Sequence, residues 1–151
     1  MRIAITNAPF SPQVELAAFT HANAGAMASF VGYCRPTSNN TAVERLELDH
    51  YPGFTEAEIQ RLSESVSKRH NLLDILVIHR IGAISAGEPI VLVAALSAHR
   101  AAAFAAVGEL MDYLKTDAPI WKKEVGPSGA RWIEPTAEDH ARRAAHKDHS
   151  T

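Results

Sequence analysis

The chain has 151 residues, 46% of them hydrophobic and 21% charged, a balance that predicts one compact domain with a conventional core and excludes wholesale disorder. Its net charge of -2 with neutral histidines offers no bulk field for nucleic acid, so any anion site has to be local. The lone Cys34 excludes an internal disulfide, no Cys/His spacing suggests zinc, and no apolar run reaches membrane-spanning length, which together predict a reducing, cytoplasmic setting.

Residues 2–6 predict a short strand, after which Ser11 and Pro12 have the chemistry of a helix N-cap and first helical position. The helix runs through Phe19 and is broken at residues 23–25. Residues 26–33 are small or β-branched, with Met27 and Val31 on one side and Phe30 on the other, predicting a buried strand. Arg35 opens the polar loop that follows. At a strand end its planar donor fork suits a phosphate, although a solvated arginine fits the same position. Leu46 and Leu48 then alternate with Arg45, Glu47 and Asp49, the pattern of a strand with one wet face.

Tyr51-Pro-Gly53 ends that strand, and Thr55 with Glu58 has capping-box spacing for a helix. Its buried stripe is Ile59, Leu62 and Val66, leading toward His70. Residues 73–81 and 89–96 are apolar runs separated by a turn at Gly87, and they predict antiparallel neighbours. His79, inside the first run, reads as a hydrogen-bonded structural histidine.

The stretch from Ser97 to Glu124 concentrates cations at both ends of one helix. Phe104, Val107, Leu110, Met111 and Leu114 recur at helical spacing and predict its buried face. Ser97 is placed as N-cap, with His99 and Arg100 in a first turn whose free N–H groups favour an anion. At the other end Lys115 adjoins the apolar stripe. Pro119 stops the helix and turns the chain so that Lys122 can fold back beside Lys115. One lysine at a helix C-terminus only complements the dipole; two lysines bracketing a proline turn, with a His-Arg pair at the helix start, point to a site. If His99 and Lys115 are on one helix they stand about 24 Å apart at about 1.5 Å per residue. They then serve separate sites, or two copies pack so that one helix start approaches its partner's helix end.

Beyond the turn, residues 120–125 and 130–133 predict a hairpin around Gly126-Pro-Ser-Gly129. The remainder is polar, with His140, Arg142, Arg143, His146 and His149, and reads as a surface helix or a tail in preference to a metal site.

Several of these segments together resemble the large, catalytic subunit of molybdopterin synthase. They are Ser97-Ala-His-Arg100, Met111-Asp-Tyr-Leu-Lys115-Thr and Ala118-Pro-Ile-Trp-Lys-Lys-Glu124, joined by Phe30-Val-Gly-Tyr-Cys-Arg35, Leu48-Asp-His-Tyr-Pro-Gly53, Ile78-His-Arg-Ile-Gly82, Gly87-Glu-Pro-Ile-Val91 and Arg131-Trp-Ile-Glu134. Their order and spacing fit from about Gly25 to Glu134. The loop at residues 36–41 departs from the family pattern, lacking the glycine-and-aspartate turn common after its pocket arginine.

The resemblance implies an α+β fold: a single domain over residues 1–135, with a mixed, largely antiparallel sheet, packed helices and a C-terminal hairpin, the α/β hammerhead. Residues 136–151 are then a polar C-terminal helix or tail. It implies a sulfurtransferase of molybdenum cofactor biosynthesis that converts cyclic pyranopterin monophosphate (precursor Z) into molybdopterin. The sulfur comes from a small ubiquitin-like subunit with a C-terminal Gly-Gly thiocarboxylate, and the assembly is a homodimer within a heterotetramer. No cofactor or metal is implied. Lys115 and Lys122 carry over as the catalytic groups, Lys115 for acid/base or acyl-handling chemistry and Lys122 for stabilising negative charge, with the division between them open. Arg35, His99 and Arg100 carry over as ligands of phosphate and polar groups, the last two from the neighbouring copy. Tyr33, Cys34, Lys123 and Glu124 fall in the matching substrate-contact stretches, with Cys34 read as packing. The alternative is a non-catalytic pterin- or phosphate-binding paralogue that docks the small subunit.

Overall fold

The computed structural model describes residues 1–146; His149 and the end of the polar segment lie outside the described residues. The elements in chain order are β1 (Arg2–Thr6), α1 (Pro12–Ala18), β2 (Ala26–Tyr33), β3 (Thr37–Ser38), β4 (Thr41–Ala42), β5 (Arg45–His50), α2 (Phe54–His70), β6 (Asp74–Arg80), β7 (Gly82–Ser85), β8 (Pro89–Ser97), α3 (Arg100–Thr116), β9 (Ile120–Gly126), β10 (Gly129–Ile133) and α4 (Ala137–Ala145). They form an α+β domain built on two four-stranded sheets, ordered β1-β6-β8-β2 and β10-β9-β5-β7, with a small β3-β4 ribbon. Among the described residues only β1 and β6 run parallel.

Strands β6 and β8 occupy the middle of the first sheet and are buried on both faces. Alternation divides their side chains between two cores. Ile75, Val77, Val91 and Val93 join the main core with α2, α3 and the second sheet, whereas Leu76, Ile78, Leu92 and Ala94 face Phe10, Leu16 and Phe19 at α1. The expected antiparallel pairing of these strands is observed. Between them the sequence conceals β7. Gly82, at φ 76, takes a left-handed conformation that side chains resist, and it carries the chain out of the first sheet to pair with β5 in the second.

Several local expectations shift. Strand β2 is an edge that pairs with β8, so Met27 (47% exposed) and Phe30 (41%) lie open where a buried strand was expected. Helix α2 begins at Phe54 because the Pro52-Gly53 turn releases the chain early. Glu56, in place of Glu58, accepts the Gly53 N–H at 2.7 Å. Thr55 is fully buried; its hydroxyl accepts the Tyr51 N–H at 3.0 Å and donates to the Pro119 carbonyl at 3.1 Å. Ser97 stays in β8, where its hydroxyl accepts the His99 N–H at 3.2 Å, and His99, whose carbonyl accepts the Ala103 N–H at 3.3 Å, is the N-cap of α3. Phe104 is 70% exposed, and the buried face of α3 runs instead through Ala103, Ala106, Val107, Leu110 and Leu114. In the loop after Arg35, Asn39 and Asn40 both have positive φ, 47 and 61, the signature of a type I′ turn closing β3 on β4. Two asparagines thus do there what glycine and aspartate commonly do.

Glu109, 2% exposed on α3, locks α3 to α2. Its carboxylate accepts from the Tyr113 hydroxyl at 2.7 Å, lies 2.7 Å from His70 Nε2 and forms an ion pair with Arg69. Replacing Glu109 with Ala leaves a guanidinium and an imidazole facing each other without their anion. The variant is expected to lose about 3 kcal/mol of stability, read from the shift of the urea unfolding midpoint.

Candidate active site

Pro119 lacks an N–H and disfavours helical geometry at Ala118, so α3 closes at Thr116 and β9 starts at Ile120. The turn between them is pinned by the bond from Thr55 to the Pro119 carbonyl. On its far side β9 pairs with β5 in register, with Leu48 opposite Lys122, and with β10, with Ile133 opposite Lys122. An interior strand therefore carries Lys122, which points back toward the end of α3.

The result is a cleft of ≈ 990 Å³ where the two sheets meet α3, lined by both Lys115 and Lys122 together with Tyr33, Arg35, His79, Trp121, Trp132, Glu134 and His140. Apolar walls come from Val91, Met111, Leu114 and Ile120. Burial holds the Lys122 amine below the usual lysine range, and the positive charges of Lys115 and Arg35 push the same way against the opposing pull of Glu124. The sequence expectation that the proline turn brings the two lysines together is met. Such a site can receive an anion, stabilise charge that develops on it, and offer an amine ready to give up its proton.

The other expected site residues divide. Tyr33 and Arg35 reach the cleft from the end of β2. Cys34 does not: it is 1% exposed, its backbone N–H donates to Glu88 at 2.9 Å, and burial pushes its thiol up, which agrees with the packing role. Lys123 points to the opposite face of β9, where Nζ pairs with Glu47 at 2.7 Å and lies 5.5 Å from the centre of the Trp132 ring. Alternation along the strand makes this unavoidable once Lys122 faces the cleft. Glu124 returns to the Lys122 side but binds its cross-strand neighbour Arg131 at 2.8 Å, in a separate hollow of ≈ 180 Å³. His99 and Arg100 are exposed at the opposite end of α3 and do not line the cleft of their own chain.

Three titratable lining residues were not picked out as site residues from the sequence. Glu134 lies in a segment that carries the family resemblance, His79 looked purely structural, and His140 sits in the polar segment. The last reaches the cleft because α4 docks on α3. Thr136 and Asp139 cap it reciprocally, Arg143 grips Asp117 at 2.6 to 2.9 Å and stacks 4.2 Å from the Tyr113 ring centre, and His146 reaches Asp112 at 2.7 Å. Among the described residues no cluster of His, Cys, Asp and Glu is arranged to hold a metal ion. Among them, too, no helix is long and apolar enough to cross a membrane.

Comparison with known proteins adds to this geometry. A family model described as MoaE protein matches residues 5–117. A molybdopterin synthase catalytic subunit from Caulobacter vibrioides is 48% identical over 141 residues, covering 92% of this chain and 93% of that one. One from Pseudomonas aeruginosa is 44% identical, covering 93% and 95%. Among solved structures, a MoaE protein from Burkholderia ambifaria superposes with a TM-score of 0.81 at 37% identity, covering 96% of this chain and 97% of the other. Molybdopterin synthase from Staphylococcus aureus superposes at 0.81 with 25% identity, covering 88% and 98%.

A lysine whose folded pKa is depressed binds fewer protons than its unfolded counterpart, so its charge costs stability at neutral pH and the cost fades as pH rises toward 10.5. Lys122→Met is therefore expected to stabilise the protein by about 1 kcal/mol at neutral pH. The gain should shrink in alkaline buffer, as measured by denaturant unfolding across that range.

Proposed function

The chain belongs to the MoaE protein family, and from that premise we propose that it is the catalytic subunit of molybdopterin synthase, acting in molybdenum cofactor biosynthesis. In this reading it installs the dithiolene on cyclic pyranopterin monophosphate, with sulfur delivered by the C-terminal thiocarboxylate of a small ubiquitin-like subunit. A cytoplasmic location belongs to the same proposal. The observation that carries the catalytic assignment is the meeting of Lys115 and Lys122, from separate elements, in one cleft.

Opening a cyclic phosphate and transferring sulfur both need charge stabilisation and proton movement. The lowered Lys122 amine is suited to the acid/base or acyl-handling part, since an amine must lose its proton before it can act as base or nucleophile. Lys115 then supplies positive charge to the developing anion. The sequence leaves the division between the two lysines open, and burial favours this one: Lys122 is partly buried on a strand, whereas Lys115 is exposed at a helix end. Arg35 holds the substrate's phosphate and Tyr33 packs beside it.

His99 and Arg100 enter the same proposal from a second copy. The far end of α3 cannot reach its own cleft, and the exposed apolar groups Met27 and Phe30 on the open edge of β2 favour a partner there. A two-fold dimer with composite sites accommodates both facts. Solved relatives support the small-subunit part: one is described as a protein–protein complex of subunits 1 and 2 of molybdopterin-converting factor from Helicobacter pylori, which at 19% identity and a TM-score of 0.73 shares the fold.

Purified chain, thiocarboxylated small subunit and cyclic pyranopterin monophosphate should yield dithiolene product. Lys115→Ala and Lys122→Ala should each abolish it with the fold intact by circular dichroism; turnover near wild type in either would remove that lysine from its role. Mixing the Lys115→Ala chain with a His99→Ala/Arg100→Ala chain should restore about one quarter of wild-type turnover, because about half the dimers are hybrid and each has one intact site. Absence of recovery after demonstrated subunit exchange would exclude the composite site.

A further inference from the structure

His79 lies in the cleft wall with no part in the scheme above. Its Nδ1 is 2.8 Å from the Arg80 carbonyl oxygen. A carbonyl only accepts, so Nδ1 carries the proton and Nε2 keeps a free lone pair. The residue is 8% exposed, and what is exposed lines the cleft. Among the described residues Nε2 has no hydrogen-bond partner, yet it is absent from the side-chain nitrogens sealed away without one, His50 Nδ1, Arg80 Nε and Arg143 Nη1. Its lone pair therefore opens on the cleft.

The surroundings keep the ring neutral. Burial lowers its pKa to about 4, with Lys122 on β9 and His50 on β5 adding to that and the Arg80 carbonyl opposing. A neutral acceptor has nothing to offer a cyclic phosphate diester, whose oxygens are acceptors alone. It matches an N–H or O–H group, and a ligand that lacks one leaves the enclosed lone pair unmatched.

We propose that His79 is a specificity-determining residue: its Nε2 accepts a hydrogen bond from an N–H or O–H donor on the uncharged heterocycle of the ligand, while the neighbouring cations take the phosphate. The inference rests on the cleft being the pterin site. Two substitutions separate the ring's nitrogens. His79→Asn keeps an amide N–H for the Arg80 carbonyl and removes the outer acceptor. His79→Gln places an amide oxygen where Nε2 stood.

Calorimetric titration of the full chain at neutral pH, with cyclic pyranopterin monophosphate and separately with inorganic phosphate, reads the difference. The Asn variant is expected to bind the pterin about tenfold more weakly, the Gln variant close to wild type, and both to bind phosphate as wild type does. Wild-type pterin affinity in the Asn variant overturns the proposal. So does equal loss of pterin and phosphate, or a Gln variant as weak as Asn despite a wild-type thermal midpoint. If wild-type protein itself binds no pterin, the functional reading falls and this inference with it; if it binds and the Asn variant binds equally, only the role of His79 falls.

Discussion

Two ammonium groups turned into one cleft repel each other, and much of the surrounding structure serves to hold them against that repulsion. The charge of Lys115 helps to hold the Lys122 amine below the usual lysine range, and the same repulsion would send unanchored lysines out to solvent. Here both are anchored by backbone. Lys115 rides on the last turn of α3, which Glu109 ties to α2, and Lys122 rides on a strand paired on both sides. The short link between them is held by Thr55 at Pro119 and by Arg143 at Asp117. A bound anion relieves the repulsion that the fold sustains without it, so binding and charge are coupled at this point.

The long axis of α3 separates two kinds of cation. Lys115 stands at its C-terminal end, where the negative end of the helix dipole welcomes an ammonium, and His99 and Arg100 stand at its N-terminal end, where free N–H groups welcome an anion. A single chain cannot fold both ends of a straight helix into one cleft. Division of the site between copies follows from the rigidity of that element, in the reading proposed above.

Much of this was legible in the sequence, because the signals were local. Strand β2 has the bounds read from its residue types, Ser11 caps α1, and Pro119 makes the turn that brings Lys122 toward Lys115. What stayed hidden depends on neighbours that periodicity cannot name. Met27 and Phe30 look like core residues until β2 is known to be an edge. Phe104 sits at the right spacing for the buried face of α3, yet the narrow contact with β8 and α2 is filled by alanines. Lys123 belongs to the same motif as Lys122, and only the strand pleat sends it to Glu47 on the other side. His79 was rightly read as hydrogen-bonded, but nothing around it in the sequence shows that its second nitrogen meets the cleft.

The docking of α4 has a bearing on how the protein behaves in different media. That helix buries little apolar surface and is held to α3 mainly by Arg143 with Asp117, Arg142 with Asp112, and His146 with Asp112. Attractions of this kind weaken as dissolved electrolyte rises, whereas the apolar cores do not depend on it. Concentrated salt would thus loosen one wall of the cleft while leaving the sheets intact, so the loss of that wall is separable from unfolding of the domain.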